Sequence, residues 1–302
     1  MLLENQGIIT VESTHRILHN EMNNKLLLAL LLCVSAIMCS VGKQQAVGPV
    51  KIYYTIPAES TINEYDEVTN STRVVAPFVA EKIALSKSVI YYSSGHSIFS
   101  ISPPDYSTPL LFVRTNASGV YPITGLSISG TNAYWAINRT IFTKPLDEVA
   151  NTDPKVVFKY NGGANPITSL SVNEDHNILF FTNHSQLLFV VDLQTSHLSS
   201  FNYSIPFLHT FGNVTGVGTR DSMFAFGCGA SIYLGQVNLI EEVNPICVGN
   251  CLTISRREQF IPVGTHVYYL LSSLPFITKD DIEHEVVRAR SPIGGFDIAQ
   301  NK

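Results

Sequence analysis

Paired aromatic or apolar anchors recur every 43 to 46 residues along the chain. Around each anchor lie short runs rich in Val, Ile, Phe, Tyr and Thr, bounded by Gly, Asn, Asp, Ser and Pro. No sustained helical period with caps follows residue 45. Together these observations predict an all-β fold: a six-bladed β-propeller of four-stranded blades, following an N-terminal signal peptide.

The anchors carry the argument. The pairs are Tyr91-Tyr92, Tyr134-Trp135, Phe180-Phe181, Phe224-Ala-Phe226 and Tyr268-Tyr269, and their last residues are spaced 43, 46, 45 and 43 apart. A second set, Ile98-Phe99, Ile141-Phe142, Leu187-Leu188 and Ile232-Tyr233, steps by the same 43, 46 and 45. Tyr121-Pro-Ile-Thr124 also returns 44 residues later as Asn165-Pro-Ile-Thr168. Two anchors drifting in step describe one supersecondary unit repeated along the chain. The clearest unit reads as strands over 125–129, 132–138, 140–146 and 155–161. Its successor reads as strands over 169–173, 177–183, 186–193 and 198–204. Five units are explicit, and the length left after residue 42 fits about six repeats of this size. The remaining unit is assigned to the irregular first segment, with strands at Val50–Ile56 and Arg73–Val79 around a loop rich in Asn, Glu and Asp; the last strand is expected over Glu285–Arg290.

The N-terminus reads as a targeting segment. Lys25 precedes a run from Leu26 to Met38 that is apolar except for Ser35, and Ser40 and Gly42 provide a small-residue exit. That order describes a secretory signal peptide over 22–42, too short an apolar run for a spanning helix. Residues 1–21 lack this character and read as a non-native extension ahead of a start at Met22, leaving 43–302 for the propeller. Six sequons, at Asn70, Asn116, Asn138, Asn183, Asn202 and Asn213, agree with export and mark candidate glycosylation sites. Outside the signal, Cys228, Cys247 and Cys251 allow one disulfide among the three in an oxidising compartment, with one thiol left over. The expected location is therefore extracellular, or the lumen of the secretory pathway.

Composition narrows the partners. Hydrophobic residues make up 45% and charged residues only 14%, so the chain is neither disordered nor a solvated helical bundle. The net charge of −5 and the lack of a dense Lys/Arg stripe argue against nucleic acid and anionic membranes. A membrane enters only if the signal segment stays uncleaved.

Gly-His and Trp-Asp pairs are missing, with one Trp in the chain, and double glycines occur only at Gly162-Gly163 and Gly294-Gly295. Ala133-Tyr134-Trp135-Ala136, with Ile141 and Leu146-Asp147, resembles the YWTD blade of lipoprotein-receptor propellers. Phe180-Phe181-Thr182 with Asp192-Leu193, and Tyr91-Tyr92-Ser93 with Ile98, resemble it more distantly. The Asp of Tyr-Trp-Thr-Asp is absent from every blade, so the inter-blade network it supports in that family does not carry over. The resemblance implies a six-bladed binding propeller over roughly residues 50–300.

No catalytic motif emerges. His176, within Asn173-Glu174-Asp175-His176-Asn177, could hold a cation or a proton but reads as the tight turn between first and second strands. Asp280-Asp281-Ile-Glu283-His284-Glu285 reads as a solvated loop, and Arg256-Arg257 as loop surface. Asn138 and Asn183 occupy matching turns between second and third strands, while Asn116 and Asn213 fall where one blade leads into the next. If occupied, these four shield the face that usually binds ligands. The expectation is a secreted or lumenal non-enzymatic binding module for a protein or glycan, with no cofactor. The alternative is a calcium-dependent lactonase- or esterase-like propeller, which needs carboxylate and amide oxygens arriving from several blades.

Overall fold

The computed structural model describes residues 49–115, 121–147, 152–162, 164–183, 188–195, 198–200, 214–228, 231–237, 243–247, 257–264, 266–271, 275–279 and 285–300. Residues 1–21 and the segment 22–42, with Asn116, Asn202, Asn213, Cys251, Arg256 and the run 280–284, lie outside these. The propeller belongs to the unit Val47–Lys302.

Six antiparallel four-stranded sheets form the six predicted blades. The first holds β1 (Val50–Ile56), β2 (Thr61–Asp66) and β3 (Ser71–Ala76). The second holds β4 (Lys82–Ser86), β5 (Val89–Ser94), β6 (Ser97–Ile101) and β7 (Leu110–Arg114). Blade three is β8 (Ile123–Ser129), β9 (Asn132–Ile137), β10 (Thr140–Pro145) and β11 (Lys155–Lys159). Blade four is β12 (Ile167–Asn173), β13 (Ile178–Asn183), β14 (Leu188–Asp192) and β15 (Leu198–Ser200). Blade five is β16 (Val214–Arg220), β17 (Met223–Cys228), β18 (Ser231–Gln236) and β19 (Val243–Cys247). Blade six is β20 (Arg257–Val263), β21 (His266–Leu271), β22 (Phe276–Lys279) and β23 (Glu285–Arg288). The final strand, β24 (Gly295–Gln300), leaves blade six and pairs with β1, so blade one runs β24-β1-β2-β3. The C-terminus thus supplies the inner strand of the first blade and closes the ring.

This corrects three sequence expectations. The first segment is not a self-contained blade, because its inner strand comes from the far end of the chain. The loop expected between its strands contains β2, whose polar residues Asn63 and Glu64 are nonetheless buried. Arg257, expected on a loop, opens β20.

The aromatic doublets follow from blade geometry. Adjacent residues of a strand point to opposite faces, and a blade is covered on both. The second residue of each doublet packs towards the preceding blade, and the residue before it towards the following one. Thus Trp135 lies with Ile98 and Val113 of blade two, whereas Tyr134 lies with Leu170 and Leu179 of blade four. Phe226 and Ala225 divide in the same way between blades four and six. Tyr53 and Tyr54 form the sixth doublet: Tyr54 packs into the cluster shared with blade six and Tyr53 against that shared with blade two. Among the described residues the buried apolar side chains consequently form six clusters, one at each blade–blade boundary. Among the described residues the only helices are the 3-10 turns Pro57–Glu59 and Glu174–His176, and none is long or apolar enough to cross a membrane.

Candidate functional site

Each inner strand leaves one edge facing the ring axis, and that edge presents backbone groups with no ladder partner. Side chains from the neighbouring blade bond many of them. Ser127 Oγ accepts from Val172 N at 3.1 Å, and Ser129 Oγ from Glu174 N at 2.8 Å. One blade further on, Ser171 Oγ accepts from Thr219 N at 2.9 Å, and Ser169 Oγ accepts from Val217 N at 3.3 Å. Gln259 bridges blade six to the closing strand, accepting from Phe296 N at 3.0 Å and donating to Phe296 O at 2.6 Å. Asp297 Oδ2 then accepts from Leu85 N at 2.7 Å, which joins the closing strand to blade two. Small hydroxyl side chains suit this task because they reach a neighbouring backbone without holding the blades apart. Between blades five and six the approach is closer still. A Cβ on Gly218 would fall inside contact distance of the Phe260 carbonyl, so only glycine fits there.

Within the ring these strands enclose a cavity of about 230 Å³ that reaches the turns between first and second strands. Arg220 spans it, donating from Nη2 to Asp297 Oδ1 at 3.2 Å and to the Ile298 carbonyl. Its Nη1 is buried without an acceptor among the described residues. Burial pushes the Asp297 carboxyl above its usual range, against the opposing pull of Arg220 and the backbone N–H groups of Ile298 and Leu85. Asp175 and Asp221, from the turns of blades four and five, line the same cavity. Three blades therefore contribute an aspartate, a convergence that sequence spacing did not reveal. Among the described residues, no three His, Cys, Asp or Glu side chains are grouped closely enough to hold a metal ion.

The His176 run is the turn that its sequence predicts. Asn173 caps the 3-10 turn by accepting from His176 N, and Asn177 closes it with φ of 54°. Its working residue is Glu174, whose carboxylate accepts from Asn132 Nδ2 at 2.7 Å and Tyr134 OH at 2.6 Å in blade three. Gly130, at φ +55°, leaves room for that carboxylate. The turn is a latch between blades.

No family model matches the chain, and no curated protein matches it. The resemblance lies in solved structures, of which 1340 chains match. One is a protein of unknown function from Bacteroides thetaiotaomicron, with a TM-score of 0.56 and 9% identity over 76% of this chain. This chain spans 64% of that one's length. At that identity the likeness is one of fold alone. Function must therefore be argued from the chain's own sites.

A second recess lies between blades two and three. Arg114 and Thr115 at the end of β7 meet Trp135, Ile137, Phe142, Asp153 and Pro154 of blade three around a cavity of about 320 Å³. Trp135 is fully buried and stacks on Phe142 with ring centroids 5.9 Å apart. Its indole N–H has no acceptor among the described residues.

Of the sequons, Asn70 sits exposed in the β2–β3 turn with φ of 49°, accepting from Tyr65 OH at 3.1 Å. Asn138 occupies the β9–β10 turn at φ of 54°. Asn183, at the end of β13, is 2% exposed. Cys228 and Cys247 close β17 and β19, strands separated by β18 in the sheet of blade five.

Proposed function

We propose that this chain is exported through the secretory pathway and acts there as a non-enzymatic binding propeller whose partner is a protein or a glycan. One observation carries the reading. Many of the polar groups around the ring axis are committed to bonds between blades: Ser127, Ser169, Ser171, Gln259 and Asp297 each hold a neighbouring backbone. A group so committed is held in place for closure of the ring, and freeing it for acid–base work would break a boundary between blades. Recognition is then left to the recesses and outer surfaces.

Export is supported by Leu26–Met38 and the six sequons, of which Asn70 is exposed. The YWTD-like reading is supported by the placing of Tyr134-Trp135 in the second strand of blade three, with Ile141 in the third. Expression from Met22 in eukaryotic cells tests the proposal. A mature chain beginning after residue 42, recovered from the medium and capturing a partner that deglycosylation does not abolish, is the expected result. A chain that retains Leu26–Met38, or that stays in the cytosol, overturns export.

The alternative hydrolase reading keeps one observation in its favour: Asp175, Asp221 and Asp297 line one cavity from three blades.

A further inference from the structure

We propose that the fold sorts the sequons: Asn70 carries an N-glycan in the exported protein, and Asn183 stays bare. The inference deepens the export reading and rests on it. Transfer is made by a host enzyme on the chain as it enters the lumen, from an oligosaccharide linked to a polyprenyl pyrophosphate. The asparagine Nδ2 forms a bond to the anomeric carbon of the first sugar and gives up one proton. The polyprenyl pyrophosphate leaves with the electron pair of the broken C–O bond. Folding then decides which products survive, because a glycan is bulky and hydrated and has to stay at the surface.

The β2–β3 turn keeps Asn70 outside. Asp66 Oδ1 accepts from Val68 N at 2.8 Å and from Thr69 N at 3.3 Å, which ties down the inner side of the turn. Residues 68–72, the whole sequon included, are exposed. Asn70 takes the left-handed conformation, with φ of 49°, that Asn tolerates better than most residues. Tyr65 OH donates to its Oδ1 at 3.1 Å, and the planar amide leaves Nδ2 on the other side. Tyr65 in turn stands opposite Thr72, the residue that completes the sequon. A sugar on Nδ2 displaces no hydrogen bond made among the described residues and has no burial to undo.

Asn183 has the opposite setting. It ends β13 opposite Ile167, is 2% exposed, and has its Nδ2 sealed from solvent. Its neighbours Thr182 and Ile167 are fully buried. A sugar on Nδ2 could be accommodated only if the end of β13 left the sheet. That would unseat Ile167, whose N–H also bonds blade four to the Asn138 carbonyl of blade three at 2.6 Å. A chain glycosylated at Asn183 therefore cannot complete this boundary. Asn183 accordingly adds no shield to the face that carries the turns between second and third strands, and blade four is left free of a glycan there.

The test uses the folded chain recovered from the medium of eukaryotic cells. Peptide-N-glycanase in heavy-oxygen water converts each occupied Asn to labelled Asp, which mass spectrometry locates after digestion. The expected result is label at Asn70 and none at Asn183. Thr72→Ala, which removes one sequon and leaves Asn70 in place, should lose the gel shift of one glycan. Ser185→Ala, which removes the other and leaves Asn183 in place, should leave the shift unchanged. A folded, secreted chain that is bare at Asn70 or labelled at Asn183 overturns the proposal and leaves export standing. A chain that never reaches the medium, with every sequon bare, overturns export and this inference with it.

Discussion

Phe296→Ala tests closure by the C-terminal strand. Phe296 is fully buried in the cluster that joins blade six to blade one, among Tyr54, Ile261 and Tyr268. Its own backbone N–H and C=O are held by Gln259, so the strand remains anchored and the substitution acts through packing. Truncating a fully buried Phe costs about 3–5 kcal/mol. Against a total of about 5–15 kcal/mol, that is a large share of the stability of the domain. In a chain of this size it corresponds to a fall of about 10 °C in Tm. Urea unfolding followed by Trp135 emission is the assay, because Trp135 stands in blade three, two blades from the change. A closed ring unfolds as a unit, so the Trp135 midpoint should move with that of the far-UV signal. A Trp135 transition left in place while the C-terminus becomes open to proteolysis would refute closure as a cooperative feature.

Other substitutions test the boundaries one by one. Gly218→Ala drives a methyl into the Phe260 carbonyl and should lower stability by about 3 kcal/mol in denaturant unfolding. Glu174→Gln weakens the latch to blade three; burial first, and then the bond to Glu174, hold the Tyr134 phenol above its ordinary value. In that variant an ultraviolet alkaline titration should find one tyrosine ionising earlier than in the wild type. Two carboxylates should show opposite pH dependence. Burial raises the Glu64 carboxyl, but bonds from Arg73, Tyr53 and Lys51 outweigh it and leave it below its ordinary 4.5. Its contribution is therefore present above 4.5 and lost as pH falls through the folded value, and Glu64→Gln should flatten the acid limb of a stability–pH curve. Asp297 is raised above its ordinary 3.8, so its contribution is present below 3.8 and lost as pH rises through the folded value. Relative to Asp297→Asn, the wild type should lose stability over that rise.

The blades were legible because both faces of each are buried. Trp135, Phe181 and Phe226 are fully buried, and a doublet that must satisfy two neighbours leaves a periodic mark in the sequence. The closing strand left no such mark, because it carries no aromatic doublet and its partner β1 lies at the other end of the chain. The second strand of blade one was hidden for a different reason. Thr-Ile-Asn-Glu-Tyr-Asp reads as a loop, yet Glu64 is buried because Arg73 and Lys51 on the flanking strands neutralise it, at 2.8 and 3.2 Å. Serines on the inner strands bond between blades. Their meaning appears only once the blades stand side by side. The same holds for Asp175, Asp221 and Asp297, which are far apart in sequence and share one cavity. Arg114 and Trp135, on different blades, likewise had no local signal of proximity.

The central functional claim is that this ring binds without performing hydrolysis. Calcium content by mass spectrometry, measured on the purified protein alongside lactone and ester turnover on the same sample, tests it most directly. Substoichiometric calcium and no turnover are the expected results. One calcium per chain, with turnover that Asp221→Asn abolishes, would contradict it.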